Sequence, residues 1–138
     1  MPLRPAIIPC FVYNDAPAAI DFLCYAFGFH RHLTVPGETP ADIVHAQLTL
    51  DNNMIMLSTA KPGSRERFGM VAPGATNGLV TNCTCVTVAD PDAHYAKALA
   101  AGAPIITPPH DNEYGGRGYE TRDPEGNVWS FANYDPWA

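Results

Sequence analysis

Two stretches of this chain repeat one another at a fixed offset, and that repeat limits the possible folds more than any other feature. FVYNDAPAAIDFLCYAFGF (Phe11 to Phe29) begins as an apolar strand and passes at Asp15 into a helical pattern; VTVADPDAHYAKALAAGAP (Val86 to Pro104) does the same at Asp90. Each aspartate is a candidate helix N-cap, because a short carboxylate can accept from the free amides of the first turn. Pro91 follows at the first helical position, where a missing N–H costs nothing. Ile20, Leu23, Cys24 and Phe27 form one stripe at the i, i+3, i+4, i+7 spacing; Tyr95, Ala98, Leu99 and Gly102 form another, each 75 residues later.

Extended segments follow each helix. The first set covers residues 31–35, 43–50 and 53–58; the second covers 104–107, 117–122 and 127–133, with DPEGN as the last turn. The expected fold is α+β: two tandem βαβββ modules in a single domain over residues 1–138. Module one spans about residues 5–58, a connector 59–81, and module two 82–134. One helix covers one face of a four-stranded sheet and leaves the other bare, so a lone module is not expected to be stable. Pairing two modules forms a shared concave surface.

Charge and hydropathy remove whole classes of partner. Acidic residues outnumber basic ones 14 to 8 and no Lys/Arg run exists, which argues against a nucleic acid or an anionic membrane surface. No apolar run approaches the roughly 20 residues of a membrane span. The opening residues lack the apolar core and cleavage site of a signal peptide, so the chain reads as cytoplasmic. Cys10, Cys24, Cys83 and Cys85 are then expected to be reduced. The C-x-C spacing of Cys83 and Cys85 points both to one strand face and is not the C-x-x-C of a redox or zinc motif.

The paired units, together with IIPCFVYNDAPAAIDFLCYAFGF, VHAQLTLDNNMIMLS and YGGRGYETRDPEGNVWSFANYDP, resemble the vicinal oxygen chelate superfamily: glyoxalase I, bleomycin- and fosfomycin-resistance proteins and extradiol dioxygenases. The resemblance spans nearly the whole chain and implies a homodimer, since family members usually pair modules across a subunit interface. In metal-dependent members the first and last strands of each module each give one inward His, Glu or Gln. Those positions fall here on Ile8, Met56, Cys83 and Ser130, a set that no hard or borderline cation would select. A shift of two residues substitutes Cys10 and Cys85 and still supplies no carboxylate. No cofactor is therefore expected, although a divalent metal held elsewhere stays open.

Strand alternation sorts the remaining polar residues. His45 and Gln47 share a face opposite Ala46 and Leu48, so they look into the cavity or solvent. His45 could orient a ligand or act as a general base. If Ser130 faces the cavity, Trp129 and Phe131 belong to the core. Ser130 has no evident activating base, which excludes a hydrolase. The stretch TPPHDNEYGGRGYE (Thr107 to Glu120) reads as a loop that either places Arg117 or Tyr119 on a ligand or merely pairs Arg117 with Glu113 or Glu120. His30, His32 and His94 read as surface residues. Cys10, Cys83 and Cys85 with His45 form the candidate for a soft-metal site.

The functional expectation is metal-free binding of a small, partly apolar organic molecule. The expected ligand-binding set is Ile8, Cys10, His45, Gln47, Met56, Cys83, Cys85, Arg117, Tyr119 and Ser130. The alternative is a lyase or isomerase of the glyoxalase type with His45 as the base or a non-standard metal site.

Overall fold

The computed structural model describes residues 3–138. β1 (Cys10–Tyr13), α1 (Ala16–Phe27), β2 (His30–Pro36), β3 (Ile43–Leu50) and β4 (Asn53–Thr59) make the first module; β5 (Thr84–Thr87), α3 (Pro91–Ala100), β6 (Ile105–Asp111), β7 (Arg117–Arg122) and β8 (Val128–Ala132) make the second. Each module is one four-stranded sheet, ordered β1-β4-β3-β2 and β5-β8-β7-β6. In both, the first strand lies parallel to the last, and the helix and middle strands form the crossover between them.

Both helices begin as the repeat predicts. Asp15 accepts from the Ala18 amide at 3.2 Å and Asp90 from the Ala93 amide at 3.0 Å. The two modules then share a core. Trp129 and Phe131 from β8 are fully buried and meet Phe27 at the end of α1, with ring centroids 5.6 and 4.8 Å away; Phe11 of β1 stacks on Trp129 at 5.1 Å.

The DPEGN turn locks that core. Asp123 is 2% exposed, and its carboxylate accepts from the Tyr13 hydroxyl at 2.6 Å, the Trp129 indole N–H at 3.1 Å, the Asn127 side chain at 3.0 Å and the amides of Glu125 and Asn127. Glu125 reaches the other module and accepts from the Asn14 and Asp15 amides at 2.7 and 2.8 Å. The first turn of α1 has no acidic residue of its own, so module two supplies the carboxylate that a local glutamate often provides at a helix start. Glu125→Ala is expected to lower stability by about 1–2 kcal/mol, read by urea denaturation. Glu125→Gln, which keeps one acceptor, should lose less.

The structure corrects three sequence expectations. It also shows what the connector contains: α2 (Pro62–Phe68), which ends at Gly69 in the left-handed region (φ 66°), and a short 3-10 turn at Pro73–Thr76. β6 runs on through Pro108 and Pro109 to Asp111, so the stretch read as a loop is a hairpin turning at residues 112–116. Prolines are tolerated there because β6 is an edge strand with register shifts.

On α3 the inward side carries Pro91, His94, Tyr95, Ala98 and Ala101, whereas Leu99 is 50% exposed and Gly102 is exposed. His94 is therefore not a surface residue. It contacts the Tyr119 hydroxyl at 2.6 Å and the Phe27 carbonyl at 2.8 Å. Finally, the ladder of β1 starts at Cys10 and that of β5 at Thr84, so Ile8 and Cys83 both precede their strands.

Candidate functional site

Residues directly opposite in neighbouring strands share a face of the sheet, so the pairing registers define the floor of each sheet. In module one Leu33 pairs with Gln47, Gln47 with Met56 and Met56 with Cys10. In module two Thr107 pairs with Glu120, Glu120 with Ser130 and Ser130 with Cys85. These two rows are equivalent in the repeat, with Glu120 standing where module one has Gln47. The alternate rows, such as Tyr119, Phe131 and Val86, are buried beneath the helices.

The faces opposite the helices are open. Every residue of β2 is exposed, as are Cys10, Cys83 and Cys85, and Leu33 and Val35 present apolar side chains there. Two cavities lie at the seam between β1 and β5, and each row begins at one of them. A cavity of about 350 Å³ is lined by Cys10, Val12, Met70, Val71 and Thr84. Another of about 530 Å³ is lined by Ile8, Phe29, Met54, Ile55, Cys85 and Val86.

Most of the expected ligand-binding residues thus lie on the open faces or at the seam: Cys10, Gln47, Met56, Cys85 and Ser130 in the two rows, Ile8 at the larger cavity, and half-buried His45 on the Gln47 strand. Two do not. Tyr119 is fully buried with its hydroxyl on His94, and its proton is held more tightly than usual by that burial. Arg117 lies two residues away on the same side of β7 and binds Asp92 at 2.8 and 3.1 Å and Asp111 at 3.3 Å, not Glu113 or Glu120. Alternation along β7 puts both on the helix side.

The Cys83 thiol is pushed up to about 11, by partial burial first and then by the Cys85 and Glu120 charges, so it stays protonated at neutral pH and is a poor nucleophile. Cys10 donates to the Ile8 carbonyl at 3.6 Å. Neither the expected positions Ile8, Met56, Cys83 and Ser130 nor the paired row residues Cys10 and Cys85 supply an imidazole or a carboxylate, and this set does not fit a divalent Lewis acid. Among the described residues no three His, Cys, Asp or Glu side chains are grouped so that they could hold a metal ion.

Sequence reasoning missed Glu120. It was read only as a possible partner of Arg117, yet alternation from Tyr119 would have put it on the open face. Its Oε1 lies 3.8 Å from His110 Nε2, and its Oε2 is shielded from solvent with no hydrogen-bond partner among the described residues.

Comparison with known proteins agrees with this architecture. Uncharacterised proteins of Mycobacterium bovis and Mycobacterium tuberculosis are each 34% identical over 129 residues, which is 94% of this chain and 83% and 74% of theirs. The crystal structure of TioX from Micromonospora sp. ML1 superposes with a TM-score of 0.72 at 30% identity, covering 93% of this chain and 94% of that one. UcmS2, at 17% identity and a TM-score of 0.68 over 95% of this chain and 100% of its own, shares the fold. The family model matches residues 8–131, and the chain belongs to the Glyoxalase/Bleomycin resistance protein/Dioxygenase superfamily.

Proposed function

We propose that this protein binds a small, partly apolar organic molecule on the open face of its sheets, without a metal, in a cavity that a second copy of the chain completes. The observation that carries this reading is the pair of floor rows. Leu33, Met56, Cys10 and Cys85 supply apolar and soft surface, while Gln47, Thr107, Glu120 and Ser130 supply a few directed polar groups. Small-molecule sites combine apolar surface with placed polar groups that fix orientation. The second copy is invoked because apolar Leu33 and Val35 are 46% and 39% exposed on the open face of one chain, and exposed apolar surface there marks an interface or a binding site.

Thermal unfolding tests the reading. A panel of aromatic amines, alcohols and acids is expected to contain compounds that raise Tm by several degrees, while zinc, nickel and manganese chlorides leave it unchanged. Light scattering should give twice the 14.9 kDa chain mass. A marked rise with a divalent metal and none with any organic compound would replace this proposal with the glyoxalase-type lyase or isomerase.

A further inference from the structure

Glu120 is the one strongly polar group of the two floor rows, and the protein leaves half of its carboxylate unused. Among the described residues Oε2 is shielded from solvent and accepts no hydrogen bond, although the side chain as a whole is 32% exposed. An acceptor in that condition costs free energy that the fold does not recover. The surrounding cations do not supply the missing donor. Arg122, two residues along the same face, gives Nη1 to the carbonyls of Gly78 and Gly126 at 3.1 and 2.6 Å. Arg117 lies on the opposite face, bound to Asp92 and Asp111. His110 approaches Oε1 at 3.8 Å, beyond hydrogen-bond distance, and leaves Oε2 unpaired.

From this geometry, and resting on the proposed binding function, we infer that the ligand carries a protonated amine that pairs with the Glu120 carboxylate, whose side chain is 32% exposed and can turn its unpaired oxygen outward. Its apolar body then runs along the row through Ser130 to Cys85, where the seam cavity opens. Two strand spacings separate Glu120 from Cys85, about 10 Å, which suits a fused aromatic body with a short aminoalkyl arm. In the first module the equivalent Gln47 is neutral, so the charged end is fixed by module two alone. A charge-assisted hydrogen bond in a shielded site also selects against an anion, which Glu120 would repel.

Three naphthalenes that share one apolar body test this: 1-naphthylmethylamine, 1-naphthalenemethanol and 1-naphthoate, titrated by their own fluorescence into the full chain and its Glu120→Gln variant. The amine is expected to bind at least about tenfold more tightly than the alcohol, with the carboxylate weakest. In Glu120→Gln the amine-to-alcohol ratio should fall to near one. Equal binding of amine and alcohol to the unmodified protein overturns the inference and leaves the binding function standing. If none of the three binds, both fall. If Glu120→Gln instead weakens self-association and leaves the ratio unchanged, the orphan oxygen belongs to the interface between copies, and the inference is again wrong. The headgroup preference of the unmodified protein keeps the test decisive even if the variant folds poorly.

Discussion

Asp123→Ala is expected to lower the free energy of unfolding by about 3–5 kcal/mol, the largest effect of any polar substitution in the chain. The carboxylate is 2% exposed and receives five hydrogen bonds, one of them from Tyr13, 110 residues away. Removing it orphans the buried Tyr13 hydroxyl and the Trp129 indole N–H together, and it loosens the turn that presents Glu125 to α1. Asp123→Asn keeps the volume but turns one acceptor into a donor among donors, for a loss of about 2 kcal/mol. Urea midpoints at constant m-value measure both; an Ala variant within 1 kcal/mol of the parent would mean that water replaces the carboxylate. The same pair sets an alkaline limit. The Tyr13 proton is held well above its ordinary 10.0, by burial first and by the Asp123 charge second. The folded chain therefore keeps a proton that the unfolded chain releases, so this stability is full below pH 10 and declines as pH rises beyond it. Tyr13→Phe should remove that part of the decline.

The fold was legible because its signals are local and repeated. Asp15 and Asp90 cap their helices by contacts within three residues, and the alternation of β3 and β8 fixed which residues are buried. The floor registers were less legible. Counting back from the caps put the first-strand positions at Ile8 and Cys83, whereas the ladders begin at Cys10 and Thr84 and pair Cys10 with Met56 and Cys85 with Ser130. Pro9 has no N–H to give, and it only accepts from the Met56 amide before the ladder begins. The inward face of α3 was hidden by its composition. In an alanine-rich helix two stripes fit almost equally well, and the true one includes a histidine that counts as polar until its partners are known. Those partners, Tyr119 and Phe27, lie 25 and 67 residues away. The role of DPEGN was hidden in the same way: its turn chemistry is local, but its purpose is to hold Tyr13 and cap α1.

Glu120 shows how function separates from fold in such a chain. Nothing in β7 marks it, since a glutamate on a strand is ordinarily a solvated residue. Its meaning comes from three strands placing it between Thr107 and Ser130 while the nearby arginines are engaged elsewhere. One scaffold hosts many chemistries because such floor positions change without cost to the core, and here the core residues Trp129, Phe131 and Phe27 are independent of the row on the open face.

His94→Ala should cost about 2–4 kcal/mol and flatten the acid side of the stability profile. The imidazole sits between the modules, over Phe131 at 4.1 Å, with Nε2 on the Phe27 carbonyl and Nδ1 on the Tyr119 hydroxyl. A carbonyl only accepts, so Nε2 carries the proton, and Nδ1 of the neutral ring accepts from Tyr119. Truncation leaves both Tyr119 and the last carbonyl of α1 without this partner and opens a cavity beside Phe131. Burial lowers the His94 pKa from its ordinary 6.5, with Lys97 adding to the shift and the Phe27 carbonyl opposing it. The unfolded chain then binds a proton near pH 6.5 that the folded chain refuses, so the His94 contribution is full above pH 6.5 and shrinks as pH falls below it. Urea unfolding of parent and variant from pH 8 to pH 5 should show the gap between them narrowing across that range. A gap that stays constant would mean that the protonated ring is accepted in place, donating to both oxygens, and that the contact between α3 and α1 does not depend on a neutral histidine.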